Sequence, residues 1–545
     1  MAIGSRSSAA DLHPAWVRWL MPAIGDLLFG ALLGLLVFTT LSVRLLGDAG
    51  IGWHIRAGQL ILATHAIPRI DPFSSSMTGQ PWFAWEWLYD VLVGWLESVA
   101  GLNGVVLFTA LIIAGVFSWV FRLLVRRGTN VLLAVILLLL AASAAMIHFL
   151  ARPHVVSWLF TMVWFWILES SEKECNSGTQ RWWLLWLLPL TMLVWVNVHG
   201  GFLVGFALLA IYWCCATWQP LSQAFRLTED RFEDVLQRIR ASRRIWTLTL
   251  TGLLSAAATF VNPYGFRLHV HIYRYLSNRF LMNHIDEFQS PNFHYVAQKC
   301  FAGLLLLTLV ALAVKGREAR ASQFLVILFA VYAGLYASRN IPVSSLLLIL
   351  VIGPWLSGTM ENLAAGFTTR RAAFRWPGPA SVPFLDRMSR IELSLRGHLW
   401  PIAAIVLTCW IAAHGGKLGR TPLMDAHFDA KRFPAAAVNY LEKENTPGPI
   451  LGPDNWGGYF IYRLYPRIKV VIDDRHDFYG EDFLKSYLKM VHVEPEWQEF
   501  IHQHPGLCIA VPKDSALANI LFETSDWQAV YRDEVAIVFQ HKELE

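Results

Sequence analysis

The sequence predicts a polytopic α-helical membrane protein that ends in a soluble α/β domain. Of its 545 residues, 55% are hydrophobic and only 16% are charged, which is far from the usage of a soluble domain. Several segments reach or approach the roughly 20 apolar residues that cross a bilayer as a helix. From about Thr421 the composition becomes that of a soluble chain. We therefore expect a transmembrane domain over residues 26–416 and an α/β domain over 417–545.

About eleven segments are predicted to be transmembrane helices. They are 26–46, 103–125, 131–150, 154–169, 182–197, 201–218, 246–261, 300–315, 321–338, 341–357 and 400–416. The first begins near Asp26 and lacks a small-residue cleavage site after a short apolar core, so it is interpreted as a retained anchor and not as a signal peptide.

Positive charge is concentrated in a few connections, and this distribution predicts the orientation. The basic groups are Arg6 and Arg18, then Arg122, Arg126 and Arg127, then 226–244, 315–320 and 370–396. Because Lys and Arg favour cytoplasmic loops, these connections and the N-terminal residues 1–25 are predicted to be cytoplasmic. The tail is then extracytoplasmic.

This arrangement requires residues 84–100 to lie on the membrane surface. Their pattern favours that position, since Glu86, Asp90 and Glu97 share one helical face and apolar residues occupy the other. The alternative is that the segment crosses the membrane, which would invert everything downstream.

The polar motifs fall on the side opposite the basic connections. The longest is a polar loop of roughly forty residues, 48–86, within a large first external loop over 47–102; loops of that length are uncommon unless they are functional or disordered. Its tryptophans and apolar residues make it too hydrophobic for a disordered tether. Shorter motifs lie at 152–154, 197–201, 262–267 and 338–340. We expect one external site, although any single short motif is also explained as a turn that needs Arg, Asn, Gly or Pro.

Three acids in the first loop are candidate catalytic residues. Asp48 follows the first apolar segment directly, where a carboxylate can act as a general base or help to hold a divalent cation. The alternative for Asp48 is a helix-end residue that meets water. Glu86 supplies a second acid near the same surface. Asp71 is the third, and it is equally suited to cap a turn before Ser74.

Basic, imidazole and aromatic side chains accompany these acids. The candidates for contact with substrate or lipid phosphate are Trp53, His54, Arg56, Arg152, His199 and Arg339. Arg56 can bind phosphate as a planar fork. His154 is a candidate metal ligand beside Asp48, but a histidine outside an i, i+4 pair is more often a hydrogen-bonded structural residue. The chain has no basic cluster interleaved with aromatics, so nucleic acid is not a predicted partner.

The first loop resembles that of a known family. Asp48, then Trp53-His54-Ile55-Arg56, then Asp71-Pro72-Phe73, is similar to the order of residues in the oligosaccharyltransferase catalytic subunit. That subunit belongs to the GT-C superfamily, membrane glycosyltransferases that use lipid-phosphate-linked sugars. The resemblance implies a divalent cation, Mg²⁺ or Mn²⁺, held in part by Asp48. The turn at 151–154, however, contains no carboxylate where the family has its second acidic motif, so Asp48 is a stronger candidate for the essential acid than for half of a cation site.

The tail contains a second similarity. Residues 454–461, which include Trp456-Gly457-Gly458-Tyr459, resemble the family's Trp-Trp-Asp-Tyr-Gly block, with the two glycines where the family has Asp-Tyr. Trp456 and Tyr459 are therefore candidates for an acceptor-binding edge. The alternative is that the glycines form a tight strand-to-helix turn.

Short β-rich runs alternate with helical patterns in the tail. Strands are expected at 450–453, 469–472, 508–511 and 535–539, and helices at 457–465, 481–491, 495–503 and 514–523. The charged run 473–477 follows a predicted strand, where sites in open α/β sheets tend to lie; a solvated loop is the alternative.

The resemblance implies a GT-C-like glycosyltransferase of a bacterial inner membrane. Its partners would be a polyprenyl-linked sugar donor, an extracytoplasmic acceptor and the lipid bilayer. Two other functions stay open: a lipid or polysaccharide transporter or flippase, and a non-catalytic scaffold that keeps the GT-C frame. Transporters often contain internal repeats, and no clear repeat is present here.

Overall fold

The computed structural model describes residues 15–175, 182–224, 240, 242–370 and 381–542, and these are mostly helical. The α-helices are Ala15–Leu20, Ile24–Phe38, Leu41–Leu45, Gly50–Thr64, Trp87–Arg126, Val131–Ala145, His154–Cys175, Leu187–Trp195, Phe202–Ala224, Arg243–Ala258, Phe266–Ser277, Arg279–His284, Val296–Lys315, Ala321–Tyr336, Ile341–Arg370, Ser381–Ser394, Leu399–Ala413, Ala435–Lys443, Asp454–Leu464, His476–Tyr479, Glu481–Val491, Trp497–His502 and Ala516–Glu523. Short 3₁₀ helices are Met146–His148, Trp182–Trp186, Asp286–Phe288, Gly316–Glu318 and Ser338–Asn340.

The apolar helices confirm that this is a membrane protein. Among the described residues, five helices are long and apolar enough to cross a bilayer: Trp16–Phe38, Trp87–Arg126, Val131–His148, Val296–Glu318 and Ser338–Asn362. The bent pair Phe384–Ser394 and Leu399–Ala413 makes a sixth if it is one span. Three shorter apolar helices coincide with other predicted segments, namely Trp182–Trp195, Phe202–Trp218 and Ala321–Tyr336. The total of eleven spans stays a prediction.

The first part of the long loop 48–86 is a regular helix. The loop helix, as we call Gly50–Thr64, begins where the Asp48 Oδ1 accepts a hydrogen bond of 2.8 Å from the Gly50 N–H. It ends at His65, whose left-handed φ of 54° turns the chain away. The expectation of an irregular loop is therefore wrong for this stretch.

Residues 87–100 also form a helix, which breaks at Gly101 where φ is 60° and ψ is −159°. The predicted polar face does not meet water. Asp90 is buried, and Glu97 accepts hydrogen bonds from Gln59 at 2.5 Å and from Tyr462 at 3.0 Å. On the opposite face Trp95 is half exposed. The apolar face is thus the one left free for lipid.

Glycines allow the loop helix to pack closely against two other helices. A Cβ at Gly58 would lie 1.8 Å from the backbone oxygen of Asp90, and a Cβ at Gly52 would lie 2.1 Å from that of Gly458. The residues Trp456–Tyr459 lie in the first half of the helix Asp454–Leu464. Their two glycines allow the backbone of this helix to contact the backbone of neighbouring segments. They do not form a strand-to-helix turn.

The tail has the mixed α/β character that was predicted. Two short strands, β1 (Lys417–Leu418) and β2 (Thr421–Pro422), form a hairpin. The main sheet contains β3 (Ile450–Leu451), β4 (Cys508–Pro512), β5 (Trp527–Arg532) and β6 (Ala536–His541) in the order β3-β4-β6-β5. The sequence did not predict β5. The expected strand at 469–472 is reduced to isolated bridges from Val470 to Ile450 and Ser74.

The basic connections meet at one end of the helical bundle. Arg127 and Arg320 pair with Glu169, and Arg320 also pairs with Glu172 at 2.5 Å. Glu172 lies 3.5 Å from Arg244. The connections that were predicted to share a side therefore do so where they are described. Arg6, residues 226–239 and 241, and 371–380 lie outside the described residues.

The glycine contact of the loop helix predicts a strong effect of a single methyl group. Because the added Cβ of Gly58→Ala would meet backbone and not a flexible side chain, we expect a loss of stability of roughly 1–3 kcal/mol or more. Thermal unfolding in detergent measures this loss. Gly115→Ala is the matched control, since a Cβ there has nothing within 4 Å; equal melting temperatures for the two variants would contradict the packing role.

Candidate functional site

A cavity of about 420 Å³ lies where the first long loop, several helix-connecting turns and the tail meet. Residues that are distant in sequence line it. Its ionisable side chains are Asp48, Glu86, Asp90, His148, Arg152, His154, His199, Glu287, Arg339, Asp474, Arg475 and Asp477. The structure thus brings Asp48, Glu86 and Arg152 together, along with His199, Arg339 and Trp53.

Arg152 joins the first loop to the tail at the floor of this cavity. Its Nη1 atom donates to Asp48 Oδ1 and to Asp474 Oδ2, both at 2.8 Å. Trp53 Nε1 donates to the other oxygen of Asp474 at 2.9 Å. Burial raises the pKa of Asp474 to about 6, although Arg152 opposes the shift. Arg152 is thus held by two acids, and the sequence had singled out only one of them.

Glu86 lies between two imidazole rings. Its carboxyl oxygens are 3.8 Å from His54 Nε2 and 3.8 Å from His199 Nε2. Burial raises the pKa of Glu86 to about 8, against the positive charge of Arg152. Burial also lowers the pKa of His54 well below its ordinary value, with a further contribution from Arg152. At neutral pH Glu86 is therefore protonated, and it lies beside two imidazole rings, of which the His54 ring is neutral.

The tautomer of His199 follows from its neighbours. Its Nδ1 accepts a hydrogen bond of 3.0 Å from the Gly201 N–H and lies 2.8 Å from the Ser157 hydroxyl. The same hydroxyl accepts from Trp195 Nε1 at 2.8 Å. Burial, helped by Arg339, lowers the pKa of His199 well below its ordinary value. The neutral ring then has its proton on Nε2, the nitrogen nearer Glu86.

His54 is fixed on its other side by Asp90. The His54 Nδ1 and the Asp90 Oδ1 are 2.5 Å apart, and both side chains are buried. Among the described residues the His54 Nε2 has no hydrogen-bond partner. The predicted substrate contact by His54 is therefore replaced by a buried histidine–carboxylate pair behind Glu86.

Arg339 is held loosely in comparison. Its Nη1 is 3.5 Å from Glu287 Oε1, and its guanidinium lies 4.4 Å from the centre of the Phe288 ring. Burial alone would raise the pKa of Glu287, but Arg339 and Arg152 outweigh burial and lower it to about 2. Arg339 therefore keeps donors for a bound anion.

Asp71 is placed away from the cavity. It accepts hydrogen bonds from the Ser74 N–H at 2.8 Å and from the Ser74 hydroxyl, and it pairs with Arg475 at 2.8 Å. It is 3% exposed. The turn-capping alternative describes Asp71, and a catalytic role does not fit its position.

Arg56, Trp456 and Tyr459 also lie elsewhere. Arg56 donates to the backbone oxygen of Tyr462, with the Nε contact at 2.8 Å, and so joins the loop helix to the tail. Trp456 donates to the backbone oxygen of Arg432 at 2.9 Å, and Tyr459 is buried. Only the Arg56 contact joins the first loop to the tail, because Trp456 and its partner Arg432 both belong to the tail. None of the three side chains lines the cavity.

The predicted metal pair does not assemble. His154 lines the cavity, but its Nε2 is 2.9 Å from the backbone oxygen of His148. Within the described chain no group of three or more His, Cys, Asp or Glu side chains has a metal-binding arrangement. Asp48 faces Arg152 instead.

Several site residues were not identified from the sequence. Asp474 and Asp477 belong to the charged run 473–477, which was noted as a patch but not as part of the site. Asp90, Ser157 and Glu287 gave no local signal. Their partners are more than thirty residues away, as with the 36 residues between His54 and Asp90.

Part of the cavity lining is apolar and exposed. Leu203, Leu276 and Tyr336 line it and are 43%, 46% and 57% exposed. Large exposed apolar side chains beside a cavity of a membrane protein favour contact with lipid. The lining of the cavity is therefore amphiphilic, since it combines charged groups with exposed apolar side chains.

The fold is similar to that of solved oligosaccharyltransferase structures. The archaeal oligosaccharyltransferase AglB from Archaeoglobus fulgidus, in complex with an inhibitory peptide and a dolichol-phosphate, superposes with a TM-score of 0.55 at 11% identity, over 90% of this chain and 68% of that protein. The same enzyme tethered to an acceptor peptide with an NVT sequon gives 0.52 at 13% identity, with the same coverage. ArnT from Cupriavidus metallidurans bound to undecaprenyl phosphate gives 0.49 at 14% identity, over 94% and 97%.

These similarities are between folds. No family model matches the sequence, and no curated protein is significantly similar to it.

The raised pKa of Glu86 predicts a pH-dependent stability. In the unfolded chain this carboxyl has an ordinary pKa near 4.5, whereas in the fold it is about 8. The fold therefore binds the proton more tightly, and its stabilising effect is complete below pH 4.5 and is lost as the pH rises toward 8. Glu86→Gln keeps a neutral group and should flatten this part of the curve in thermal unfolding between pH 4.5 and 9. The exposed Glu534→Gln is the control; identical curves for wild type and Glu86→Gln would contradict the assignment.

Proposed function

We propose that this chain is a glycosyltransferase that moves a sugar or oligosaccharide from a polyprenyl-phosphate-type carrier to an extracytoplasmic acceptor. The observation that supports this most directly is the amphiphilic cavity. A lipid-linked sugar has an anionic phosphate between an apolar chain and a polar sugar. The exposed apolar side chains of Leu203, Leu276 and Tyr336 fit the lipid chain, and the charged side chains of the lining fit the head group.

Three groups are suited to hold the phosphate. Arg152 uses only Nη1 to contact Asp48 and Asp474, so its Nε and Nη2 have no partner within the described residues. Arg339 has one long ion pair, and His199 presents an Nε2–H toward the cavity. Guanidinium and imidazole N–H groups bind phosphate oxygens through charge-assisted or neutral hydrogen bonds. Arg56 is excluded from this set by its position.

Asp48 is the proposed general base. Both of its hydrogen bonds within the described chain go to Oδ1, which leaves Oδ2 available, and its side chain is 33% exposed. The acceptor nucleophile forms a bond to the anomeric carbon as the bond from that carbon to the phosphate oxygen breaks. The lipid phosphate leaves with the electron pair, and Asp48 takes the proton of the nucleophile.

The orientation of the site agrees with external transfer. The pairs of Arg127, Arg320 and Arg244 with Glu169 and Glu172 lie near the end of His154–Cys175, a helix whose first residue lines the cavity. At 1.5 Å per residue, fifteen residues of helix separate the two ends by roughly 22 Å. If the basic end is cytoplasmic, the cavity and the tail are extracytoplasmic. We infer a bacterial inner membrane as the location.

Replacement of the proposed base gives the first test. Asp48→Asn should lower transfer from a labelled polyprenyl-linked sugar by roughly 10²–10⁴-fold, the usual contribution of a general base. Asp425→Asn, at an 86% exposed side chain of the tail, is the control and should keep full activity.

Full activity of Asp48→Asn would overturn the role of this acid. Movement of the intact carrier across vesicles, with no cleavage by the wild type, would instead favour the transporter alternative.

A second test concerns the phosphate. Arg339→Ala should raise the KM for the lipid donor by roughly tenfold to a hundredfold, as expected for a hydrogen bond to a charged group of about 1.5–3 kcal/mol. The KM for the acceptor should stay within about twofold. Arg56→Ala is the comparison, because Arg56 contacts Tyr462 of the tail and Gln59 of the loop helix and does not line the cavity; a larger effect on the donor KM in Arg56→Ala than in Arg339→Ala would contradict the assignment.

A further inference from the structure

Arg152 occupies the position in which the resemblance to the oligosaccharyltransferase subunit implies a divalent cation. Its Nη1 atom lies 2.8 Å from an oxygen of Asp48 and 2.8 Å from an oxygen of Asp474. A divalent ion that used the same two oxygens would lie 2.0–2.6 Å from each, which is the typical range for Mg²⁺ and Ca²⁺. That space is filled by the guanidinium nitrogen.

The other hydrogen bonds of Asp48 and Asp474 also come from N–H donors. Asp48 Oδ1 also accepts from the Gly50 N–H at 2.8 Å, and Asp474 Oδ1 accepts from Trp53 Nε1 at 2.9 Å. Asp48 Oδ1 therefore already accepts from two donors, and each oxygen of Asp474 accepts from one. The acids are therefore oriented as hydrogen-bond acceptors.

The chain makes room for the guanidinium at one position. A Cβ at Gly50 would lie 1.9 Å from Arg152 Nη1 and 2.3 Å from Asp474 Oδ2. Only glycine therefore allows the loop helix to begin this close to the cation. The Gly50 backbone, the Arg152 guanidinium and the Asp474 carboxylate therefore pack closely together. This packing holds Arg152 in place.

The other possible ligands do not complete a metal site. His154 Nε2 contacts the His148 carbonyl, and the turn at 151–154 supplies Arg152 where the family has a carboxylate. Introducing a dication beside Asp48 would place it next to a guanidinium with like charge. The donor set therefore does not fit Mg²⁺ or Mn²⁺.

We propose that Arg152 is a built-in cation that takes the place of the divalent metal, so that the site binds its phosphate substrate and turns over without a resident metal ion. The single positive charge balances part of the charge of Asp48 and Asp474, and Nε and Nη2 stay free for the phosphate. The part of this inference that concerns turnover rests on the proposed function. The part that concerns metal binding does not.

A titration with Mn²⁺ tests the metal-binding part directly. Electron paramagnetic resonance of free Mn²⁺ counts the ions that the purified full chain removes from solution. We expect the wild type to bind no Mn²⁺ that depends on Asp48. The variant Arg152→Asp places a third carboxylate beside Asp48 and Asp474, and it should bind one ion with an affinity at least roughly tenfold higher than the wild type.

Two further variants make this result specific. The double variant Arg152→Asp with Asp474→Asn should lose the gained affinity, because one ligand is removed. Arg339→Asp adds an acid to the same cavity away from the pair and should not gain the site. Wild-type binding of one Mn²⁺ that is lost in Asp48→Asn would overturn the proposal, and this measurement decides the question even if Arg152→Asp does not fold.

The turnover part is tested with a chelator. Transfer by the wild type after treatment with EDTA should stay within about twofold of the untreated rate, since Arg152 supplies the charge that phosphate binding needs. Loss of transfer that Mg²⁺ or Mn²⁺ restores would overturn it. If no transfer is found under any condition, the proposed function fails, whereas the Mn²⁺ titration still decides whether Arg152 has replaced the metal.

Discussion

The site depends on the close packing of the loop helix Gly50–Thr64 between two other helices. Glycines at both crossings let backbone touch backbone, at Gly58 against Asp90 and at Gly52 against Gly458. Such contacts leave little freedom for either partner, because any side chain would separate them. The helix begins immediately after Asp48, so its position fixes the proposed base relative to the tail. The geometry of the cavity floor is thus a consequence of backbone packing more than of the charged groups themselves.

A buried ion cluster stabilises the same contact between the first loop and the tail. Arg475 forms two hydrogen bonds with Asp473, at 2.8 and 2.7 Å, and one with Asp71 at 2.8 Å, and all three side chains are at most 3% exposed. The guanidinium also lies 4.7 Å from the centre of the Trp82 ring. Removing one partner of a buried pair typically costs about 3–5 kcal/mol, because the remaining charge stays buried. Asp71 and Arg475 therefore stabilise the contact between loop and tail next to the chemistry.

The sequence predicted the class of fold and part of the site, for reasons that are local. Hydropathy identified the apolar helices, and charge bias grouped Asp48, Glu86 and Arg152 on one side, where they line one cavity. The sequence could not show that Asp474 accepts a hydrogen bond from Arg152 in the cavity, because the two residues are 322 positions apart. For the same reason Arg56 looked like a phosphate ligand, since its actual partner, the backbone of Tyr462, is 406 residues away. Hydropathy and charge patterns reflect the neighbours of a residue along the chain, whereas the roles of Asp474 and Arg56 depend on their neighbours in the folded structure.

Asp48 and Glu86, two of the acids that line the cavity, differ in environment, and in the proposed mechanism this difference divides the work between them. Glu86 is buried between neutral imidazoles, and its raised pKa keeps it protonated at neutral pH, so it can donate a hydrogen bond but cannot accept a proton from a nucleophile. Asp48 has a guanidinium on one oxygen and solvent access on the other. Pairs of carboxyl groups whose surroundings separate their protonation states commonly divide acid and base roles in this way. In the proposed mechanism Asp48 is therefore the base, because its Oδ2 has no hydrogen-bond partner among the described residues. In the same proposal Glu86 is a hydrogen-bond donor to the sugar or the leaving phosphate.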